Sequence, residues 1–594
     1  MNVELRAHSD QASGTVSGVG VLEPAARVPE AGTPRVPSAR AARAMAFLPS
    51  LTDVAFIVPI LALFLALSGA QFLLGDGDTG WHLVTGKWIL ANGRVPDQDL
   101  FSFTKAGQPW IAWEWLWDVA FGWLYLHWGL AAVVLVNIVV LGTVSAWLFR
   151  LARRSADSPL LAIVFTVIAV VCTSMHWLAR PHLMSWVLLL AFYSLLERAR
   201  AGRPRGLLWL PLLTVLWTNL HGGFIIGLIV VGAYAAGELI RFAVEPEGGP
   251  RRAALGQARR YLVVLAACAA ATLLNPYGYK LHVHIFGYLS EPFHFENISE
   301  YVSLNFRHPM GKFLTLMILL GAVAAAWDLW RRRFVYPLLL VAWAYAALLS
   351  ARNIPIFAIL AAPRVAACAA DLLARLERAD VAGWLRRGVA GFNRFGRDIG
   401  VVERLTRIPA VSVAAVLVLA LLFRAEASVE FQARFDPQRY PARAVEFLRQ
   451  QGLLERVYAH DQWGDYLIFR LYPHVKVFVD GRSDFYGAEF ERASVEVLRA
   501  RWNWEKPLNA HGVQTVLLPV DSPLAPTLKE CSRWRTVYDD RVALVFRRAV
   551  SPRREGAGAE GVQASAVSDG GSVAVARPPT STHVIRGSQS YARR

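Results

Sequence analysis

The sequence predicts an α-helical polytopic membrane protein with about eleven transmembrane helices and a small C-terminal α/β domain outside the membrane. Three observations predict this class. Of the 594 residues, 55% are hydrophobic and only 18% are charged, and the mean hydropathy is +0.35. Several apolar runs of roughly 18 to 25 residues are long enough to cross a hydrocarbon core of about 30 Å. Arginines gather in alternate loops between these runs, which is the usual topology signal.

Composition divides the chain into four parts. Residues 1–52 are rich in Ala, Pro, Gly and Val and are predicted to form a disordered cytoplasmic arm, and residues 550–594 a disordered tail. The transmembrane domain is predicted over residues 53–424 with a first external loop at 75–118, and the periplasmic α/β domain over 425–549. The candidate spans, in chain order, are Val54–Leu74, Val119–Phe149, Leu160–Trp177, Leu183–Leu196, Leu207–Thr218, Gly223–Ile240, Tyr261–Leu274, Phe313–Trp330, Val335–Ser350, Ile354–Ala370 and Ile408–Phe423.

The connecting loops predict the orientation of the chain. The positive-inside rule places the arginine-rich set in the cytoplasm of a bacterial inner (plasma) membrane and the segment after Phe423 in the periplasm. The net charge of +17 is thereby explained by topology, and no nucleic-acid partner is expected. The rich loops carry Arg35, Arg40 and Arg43; Arg150, Arg153 and Arg154; Arg198, Arg200, Arg203 and Arg205; Arg241, Arg251, Arg252, Arg259 and Arg260; Arg331, Arg332 and Arg333; and the stretch from Arg375 to Arg407.

The periplasmic domain is predicted from one helical segment followed by short β-rich runs. Their order favours a partly parallel sheet. Asp480, Arg482 and Asp484 follow a predicted strand, where a buried salt bridge is the favoured interpretation and ligand binding the alternative. A nucleotide-sugar site is not expected, since no Gly-rich phosphate loop accompanies them. The predicted elements are a helix at Tyr440–Gln451 and strands at Arg456–Ala459, Val475–Val479, Thr515–Leu518, Arg535–Tyr538 and Val542–Phe546.

Unusual polar clusters fall at the predicted outer ends of the spans. Ionisable groups at membrane depth are costly and mark a site or a water-filled cavity. Because all the clusters share one face of the bilayer, we expect a single outward-facing cavity. Taken alone, Lys280 is better explained as an interfacial anchor, whereas His221 is explained equally well as a helix-end histidine or as a site residue. The clusters are Asp76, Asp78 and His82; Glu114; His176, Arg180 and His182; Asn219 and His221; Asn275, Tyr277 and Lys280; and Arg352 with Asn353.

An ordered series of short motifs resembles the GT-C superfamily of membrane glycosyltransferases. The opening Asp76-Gly77-Asp78-Thr79-Gly80-Trp81-His82 and a later Trp-x-x-x-Glu-Trp-Leu stretch around Glu114 look like the first external loop of a bacterial branch. More distantly, the chain resembles protein O-mannosyltransferases, aminoarabinose transferases acting on lipid A and the oligosaccharyltransferase catalytic subunit. The other matching motifs are His176–His182, Asn219–Gly223, Asn275–Gly278, Arg352–Pro355, Trp463–Leu467 and Val479–Asp484.

This resemblance implies a GT-C-like fold and a hexosyl or pentosyl transferase. Its donor would be a sugar linked to polyprenyl phosphate or diphosphate, and its acceptor a glycan, lipid or protein. Asp76 or Asp78 would be the general base, because a carboxylate can accept the acceptor's proton as the new bond forms, or would orient the acceptor nucleophile for attack on the anomeric carbon. Glu114 and His82 would serve as a second acid or contact the acceptor. The expected donor-phosphate ligands are Arg180, His182, His221, Lys280 and Arg352.

Several alternatives stay open at the level of sequence. Asp76, Asp78 and Glu114 are compatible with Mg²⁺ or Mn²⁺, but relatives work with and without metal, so no metal is assigned. The segment Glu291–Lys312 either covers the site or is an ordinary interfacial segment. A lipid or glycan transporter or flippase also places charges in a helical bundle, although it should show them near mid-membrane. A non-catalytic role in envelope assembly is the third interpretation.

Overall fold

The computed structural model describes residues 46–406 and 408–549. The predicted terminal segments therefore lie outside the described residues, apart from residues 46–52. The first part of the chain is almost entirely helical. Its α-helices are α1 Leu51–Leu65, α2 Ala70–Leu73, α3 Asp78–Asn92, α4 Trp115–Ala156, α5 Pro159–Thr173, α6 His182–Arg200, α7 Trp209–Leu220, α8 Phe224–Val244, α9 Gly249–Ala271, α10 Lys280–Leu289, α11 Pro292–Asn297, α12 Pro309–Trp330, α13 Val335–Leu349, α14 Ile354–Arg378, α15 Gly383–Leu405 and α16 Ala410–Ala425.

Each predicted span overlaps at least one of these helices, but their lengths differ. By length and composition, five helices of the described residues can cross a membrane: Trp115–Ala156, Pro159–His176, Phe224–Val244, Pro309–Trp330 and Ala351–Arg378. The number becomes six if α15 and α16, bent by 69°, form one broken span. Shorter apolar helices such as the 15-residue α1 reach only about 22 Å at 1.5 Å per residue. The count of eleven spans stays a prediction.

The C-terminal region is a mixed layer of helices on a four-stranded sheet. The strands run in the order β1-β2-β4-β3, with β1 parallel to β2 and the other pairs antiparallel. The partly parallel sheet predicted from sequence is therefore present. Its elements are α17 Ala442–Gln450, β1 Val457–Tyr458, α18 Asp461–Leu471, α19 Ser483–Leu498, α20 Glu505–Ala510, β2 Thr515–Pro519, α21 Leu524–Glu530, β3 Trp534–Asp539 and β4 Ala543–Arg548.

The predicted strand at Val475–Val479 is wrong. Val477 pairs instead with the segment after α3: the Phe103 N–H donates to the Val477 carbonyl at 3.0 Å, and Val477 N–H donates to Phe101 O at 2.9 Å. The hydroxyl of Thr104 adds a bond to the Phe478 carbonyl at 2.7 Å. An apolar run looks the same whether its backbone joins the sheet or a distant loop, so this pairing could not be read from periodicity.

The predicted first external loop, residues 75–118, is held between the helical bundle and the C-terminal region. It opens with α3, which lies against α18. Small residues make this approach possible, since a methyl group on Gly77 would meet the Gln462 carbonyl and one on Gly80 the Phe469 side chain. The described residues up to Arg548 accordingly form one compact unit.

Gly464 on α18 provides a test of this packing. A β-carbon there would overlap the Val479 carbonyl, so Gly464→Ala should destabilise the protein by about 1–3 kcal/mol. The expected readout is a lower melting temperature in detergent. Gly287→Ala is the matched control, because a β-carbon at Gly287 on α10 meets open space and alanine favours helix. Equal melting temperatures for the two variants would contradict the packing described here.

Candidate active site

Arg180 binds three carboxylates from separate parts of the chain. Its guanidinium contacts Asp76 Oδ2 at 2.8 Å, Asp78 Oδ2 at 2.6 Å and Glu300 Oε1 at 2.6 Å. Burial by itself raises the pKa of Glu300, but the positive charges of Arg180 and Arg352 outweigh it and hold that pKa well below its usual range. Three carboxylates around one guanidinium give the cluster a net charge of −2, which one bound proton reduces to −1.

The proton is best held by a second carboxyl pair, Asp78 with Asp465. Burial is the largest cause and raises the pKa of both groups; the negative charge of Asp78 raises the pKa of Asp465 further, whereas a hydrogen bond with Asp465 lowers the pKa of Asp78. Asp78 Oδ1 and Asp465 Oδ2 are buried, and neither accepts a hydrogen bond from an N–H or hydroxyl group of the described residues. Both oxygens border the Cα of Gly481, whose N–H donates to Asp465 Oδ1 at 2.8 Å. A shared proton satisfies both oxygens.

Local sequence explains the position of Asp78. The carboxylate of Asp76 accepts the Asp78 backbone N–H at 3.0 Å, which satisfies an orphan donor at the start of α3. Gly481 leaves room for the carboxyl group, since a methyl group there would overlap Asp78. One turn along α3, His82 faces the same cavity as Asp78, as their spacing predicts.

A chain of buried polar groups continues from His82 into the bundle. His82 Nδ1 lies 2.6 Å from Asp118 Oδ1, and its Nε2 lies 3.4 Å from Glu114 Oε2. The other Glu114 oxygen lies 3.5 Å from His221 Nε2, and His221 Nδ1 lies 2.8 Å from the Ser185 hydroxyl. Burial raises the pKa of Glu114 to about 8, so this carboxyl group is mainly protonated at neutral pH.

Two cavities meet at these residues. The larger, about 620 Å³, is polar and lies between the bundle and the C-terminal region, with Asp76, Asp78 and His82 in its wall. The smaller, about 280 Å³, is mainly apolar and extends between α6, α8, α10 and α14. Residues that line both are Trp113, Glu114, Arg180, Tyr288, Glu300, Tyr301 and Arg352.

Arg352 is the available cation at this junction. Its guanidinium donates to the Tyr301 hydroxyl at 2.5 Å and lies over the Tyr301 ring. Unlike Arg180, it forms no ion pair with any carboxylate in the described part of the chain. Because a guanidinium has five N–H donors, several are free to bind an incoming anion.

The structure brings most of the predicted site residues together. His182 and His221 line the apolar cavity, and the remaining predicted residues line the polar one or both. His182 also bonds to the His176 carbonyl at 2.8 Å. Lys280 is the exception, since it is exposed at the start of α10 and lines neither cavity. Lys280 is therefore not part of the candidate site.

Three residues at the site were not predicted from the sequence: Asp118, Glu300 and Asp465. Asp465 lies in the motif Trp463–Leu467, which resembles the GT-C branch but was assigned no function. The sequence of the buried helix α18 does not indicate that Asp465 faces Asp78. Glu300 lies in the predicted covering segment. That segment does border the polar cavity, where Phe293 and Asn297 line the wall, and His294 Nε2 lies 3.6 Å from Glu491 Oε2 of α19.

Other motif residues stabilise the walls of the site, and Asp480, Arg482 and Asp484 also line the polar cavity. The buried Arg482 pairs with Asp480 at 2.7 Å and Asp99 at 2.8 Å, so the favoured salt-bridge interpretation is correct. The Tyr277 hydroxyl accepts the Ala112 N–H at 2.9 Å and donates to Pro96 O at 3.0 Å, which holds the stretch around Glu114 in place.

A divalent metal ion does not fit the cluster as it stands. No group of three or more His, Cys, Asp or Glu side chains is arranged to hold a metal within residues 46–406 and 408–549. Asp76 and Asp78 are both turned to the Arg180 guanidinium, which supplies the positive charge that a metal would bring.

No protein-family model and no curated protein matches the chain. The solved structures that are partly similar to this chain include two of an archaeal oligosaccharyltransferase. One is the Archaeoglobus fulgidus oligosaccharyltransferase in the apo form, with a TM-score of 0.47, 11% identity and coverage of 79% of this chain and 69% of that chain. The other is the archaeal oligosaccharyltransferase AglB of that organism in complex with an inhibitory peptide and a dolichol-phosphate, with a TM-score of 0.48 and the same identity and coverage. At TM-scores below 0.5, these likenesses assign neither a family nor an activity.

The titration of Glu114 gives a stability prediction. Its folded-state pKa of about 8 lies above the ordinary value of 4.5, so the folded state binds more protons than the unfolded state between these values. Stability should therefore fall as the pH rises from about 5 to 8, by at most about 1.4 kcal/mol per pH unit from this group. Glu114→Gln should flatten the melting temperature against pH in that window, whereas Glu496→Gln, at an exposed position, should not. An unchanged slope in Glu114→Gln would contradict a protonated, buried Glu114.

Proposed function

We propose that the protein is a glycosyltransferase that moves a sugar from a polyprenyl-phosphate donor to an acceptor hydroxyl on the periplasmic side of the membrane. The observation that supports this most is the junction of an apolar cavity with a polar, acidic one at Arg352 and Arg180. A lipid-linked sugar matches this arrangement along its length, because an apolar chain is followed by a phosphate and then by a hydroxyl-rich ring.

The donor is assigned to the apolar cavity with its phosphate at the junction. Ile225, Ile226 and Ile229 of α8 provide apolar wall for the first isoprene units. The free donors of Arg352 reach the phosphate oxygens, and Arg180 adds charge next to them. His182 and His221 are neutral neighbours that can donate or accept a hydrogen bond there. The sugar then extends into the polar cavity beside Asp78.

The proposed reaction is a direct displacement at the anomeric carbon. The acceptor oxygen attacks that carbon, the bond from the carbon to the phosphate oxygen breaks, and the lipid phosphate leaves with the bonding electrons. The acceptor's proton passes to the Asp78–Asp465 pair, which holds one proton at rest and has one ionised oxygen to accept a second. Arg180 is a positioning residue, since its ion pair fixes Asp78 Oδ2 and leaves Asp78 Oδ1 at the pair. Asp76 positions the start of α3.

The deciding experiment is a donor screen. Purified protein is incubated with a panel of polyprenyl-phosphate and polyprenyl-diphosphate sugars and candidate acceptors, and products are identified by mass spectrometry. A sugar-acceptor product together with free lipid phosphate supports the proposal. Movement of an intact lipid-linked sugar between the leaflets of a vesicle, with no product, would instead indicate a flippase.

Asp78→Asn tests the base. An amide cannot accept the proton, so kcat should fall by at least about 100-fold while the donor KM changes little. Asp97→Asn is the control, since its carboxylate lies on the same segment but is 72% exposed. Matched melting temperatures separate lost chemistry from lost folding. Full activity of Asp78→Asn would eliminate this mechanism.

Arg352→Gln tests the phosphate contact. Loss of its guanidinium should raise the donor KM by about 10- to 100-fold, since a charge-assisted contact is worth about 1.5–3 kcal/mol, with a smaller effect on kcat. Arg352→Lys should recover only part of the loss, because an ammonium group lacks the bidentate geometry. A donor KM that is the same in wild type and Arg352→Gln would remove Arg352 from the donor site.

A further inference from the structure

The bundle contains another large cavity, of about 670 Å³, at the end away from the candidate active site. It lies between α1, α4, α6 and α16 and is walled mainly by apolar side chains. We call it the arginine groove, because three arginines border it. Its walls include Phe56, Trp147, Leu195, Val413, Val416 and Leu417.

Two helices show that this groove and the active site lie at opposite ends of the bundle. On α6, His182 lines the apolar cavity of the active site and Arg198 lines the arginine groove. Sixteen residues at 1.5 Å each separate them by roughly 24 Å. On α4, the active-site residue Glu114 precedes the first residue and Arg154 lies in the last turn. The groove is therefore on the face predicted to be cytoplasmic.

The arginines of the groove have no carboxylate partners. Arg150, Arg154 and Arg198 line it, and Arg154 and Arg198 also line an adjoining cavity of about 460 Å³ together with Arg203 and Arg205. None of these five side chains forms an ion pair with another described residue. Arg154 is instead repelled by Arg150, Arg153 and Arg198. Such a cluster lowers its energy by binding an anion.

Nearby carboxylates are already engaged with backbone. Glu403 accepts the Leu51 N–H at 2.7 Å and the Thr52 hydroxyl at 2.9 Å, which caps the start of α1. Asp53 accepts the Ser412 N–H at 3.0 Å and the Ser50 N–H at 3.1 Å. Thr52 and Ser412 line the groove, so these acids stabilise its wall and leave its positive charge uncompensated.

We infer that the arginine groove binds an anionic phospholipid, with acyl chain against the apolar walls and phosphate on the arginines. An apolar surface that ends in a cation cluster is complementary to such a lipid. Because five arginines border two adjoining cavities, a headgroup with two phosphates, as in a diphosphatidyl lipid, is a better match than one with a single charge. All five arginine side chains are exposed, and they border the two adjoining cavities where a headgroup can reach them. This site is independent of the proposed transferase activity.

Native mass spectrometry of the full chain in detergent tests the site. The probes are cardiolipin, phosphatidylglycerol and phosphatidylcholine with matched acyl chains. Cardiolipin should bind most tightly, and the triple variant Arg150→Gln/Arg154→Gln/Arg198→Gln should weaken it by about tenfold or more. The matched control is Arg252→Gln/Arg259→Gln/Arg260→Gln, which removes the same charge from the same predicted face outside the groove. Its affinity should equal that of wild type.

A second variant separates binding from folding. Ala191→Phe fills the groove without removing charge, and it should also weaken cardiolipin binding while the protein remains monodisperse. Equal losses in the two triple variants would show a general surface attraction and overturn the proposal. So would phosphatidylcholine binding as tightly as cardiolipin, or full cardiolipin affinity in Ala191→Phe.

Discussion

The site depends on the burial of one guanidinium among three carboxylates. Arg180 is reached by Asp76 and Asp78 from the start of α3 and by Glu300 from the segment after α11. Buried charges are tolerated only when they are paired and hydrogen-bonded, so this contact fixes three distant segments relative to one another. The excess of acid around this cation favours a bound proton, and the raised pKa values of the buried Asp78 and Asp465 make this pair the place for it.

The C-terminal region belongs to the site as much as the helices do. Asp465 contributes half of the carboxyl pair, and Gly481 supplies the N–H that holds it at 2.8 Å. The buried pairing of Arg482 with Asp99 at 2.8 Å fastens that region to the segment after α3. A position in the periplasm was expected for this region, but a share in the chemistry was not.

Sequence predicted the parts of the site that show a local anomaly. Asp78, Glu114, Arg180 and Arg352 stand out because an ionisable group at the edge of an apolar run is unusual. Asp465 and Glu300 have no such signal, since their importance comes only from what meets them in three dimensions. Lys280 shows the reverse case, since a charged residue beside an apolar run is exposed at the start of α10 and lines neither cavity. The strand predicted at Val475–Val479 is wrong for a similar reason, because the composition of an apolar run does not identify the segment with which its backbone pairs.

The close approach of the Gly481 backbone to the Asp78 carboxyl has a consequence for how such proteins can vary. The last third of the chain therefore supplies part of the wall of the polar cavity. Recombination that joined the helical part of one ancestor to the C-terminal part of another would mismatch the buried pair of Asp78 and Asp465. Substitutions in the two parts are therefore expected to be correlated during evolution, and the two parts should be inherited together.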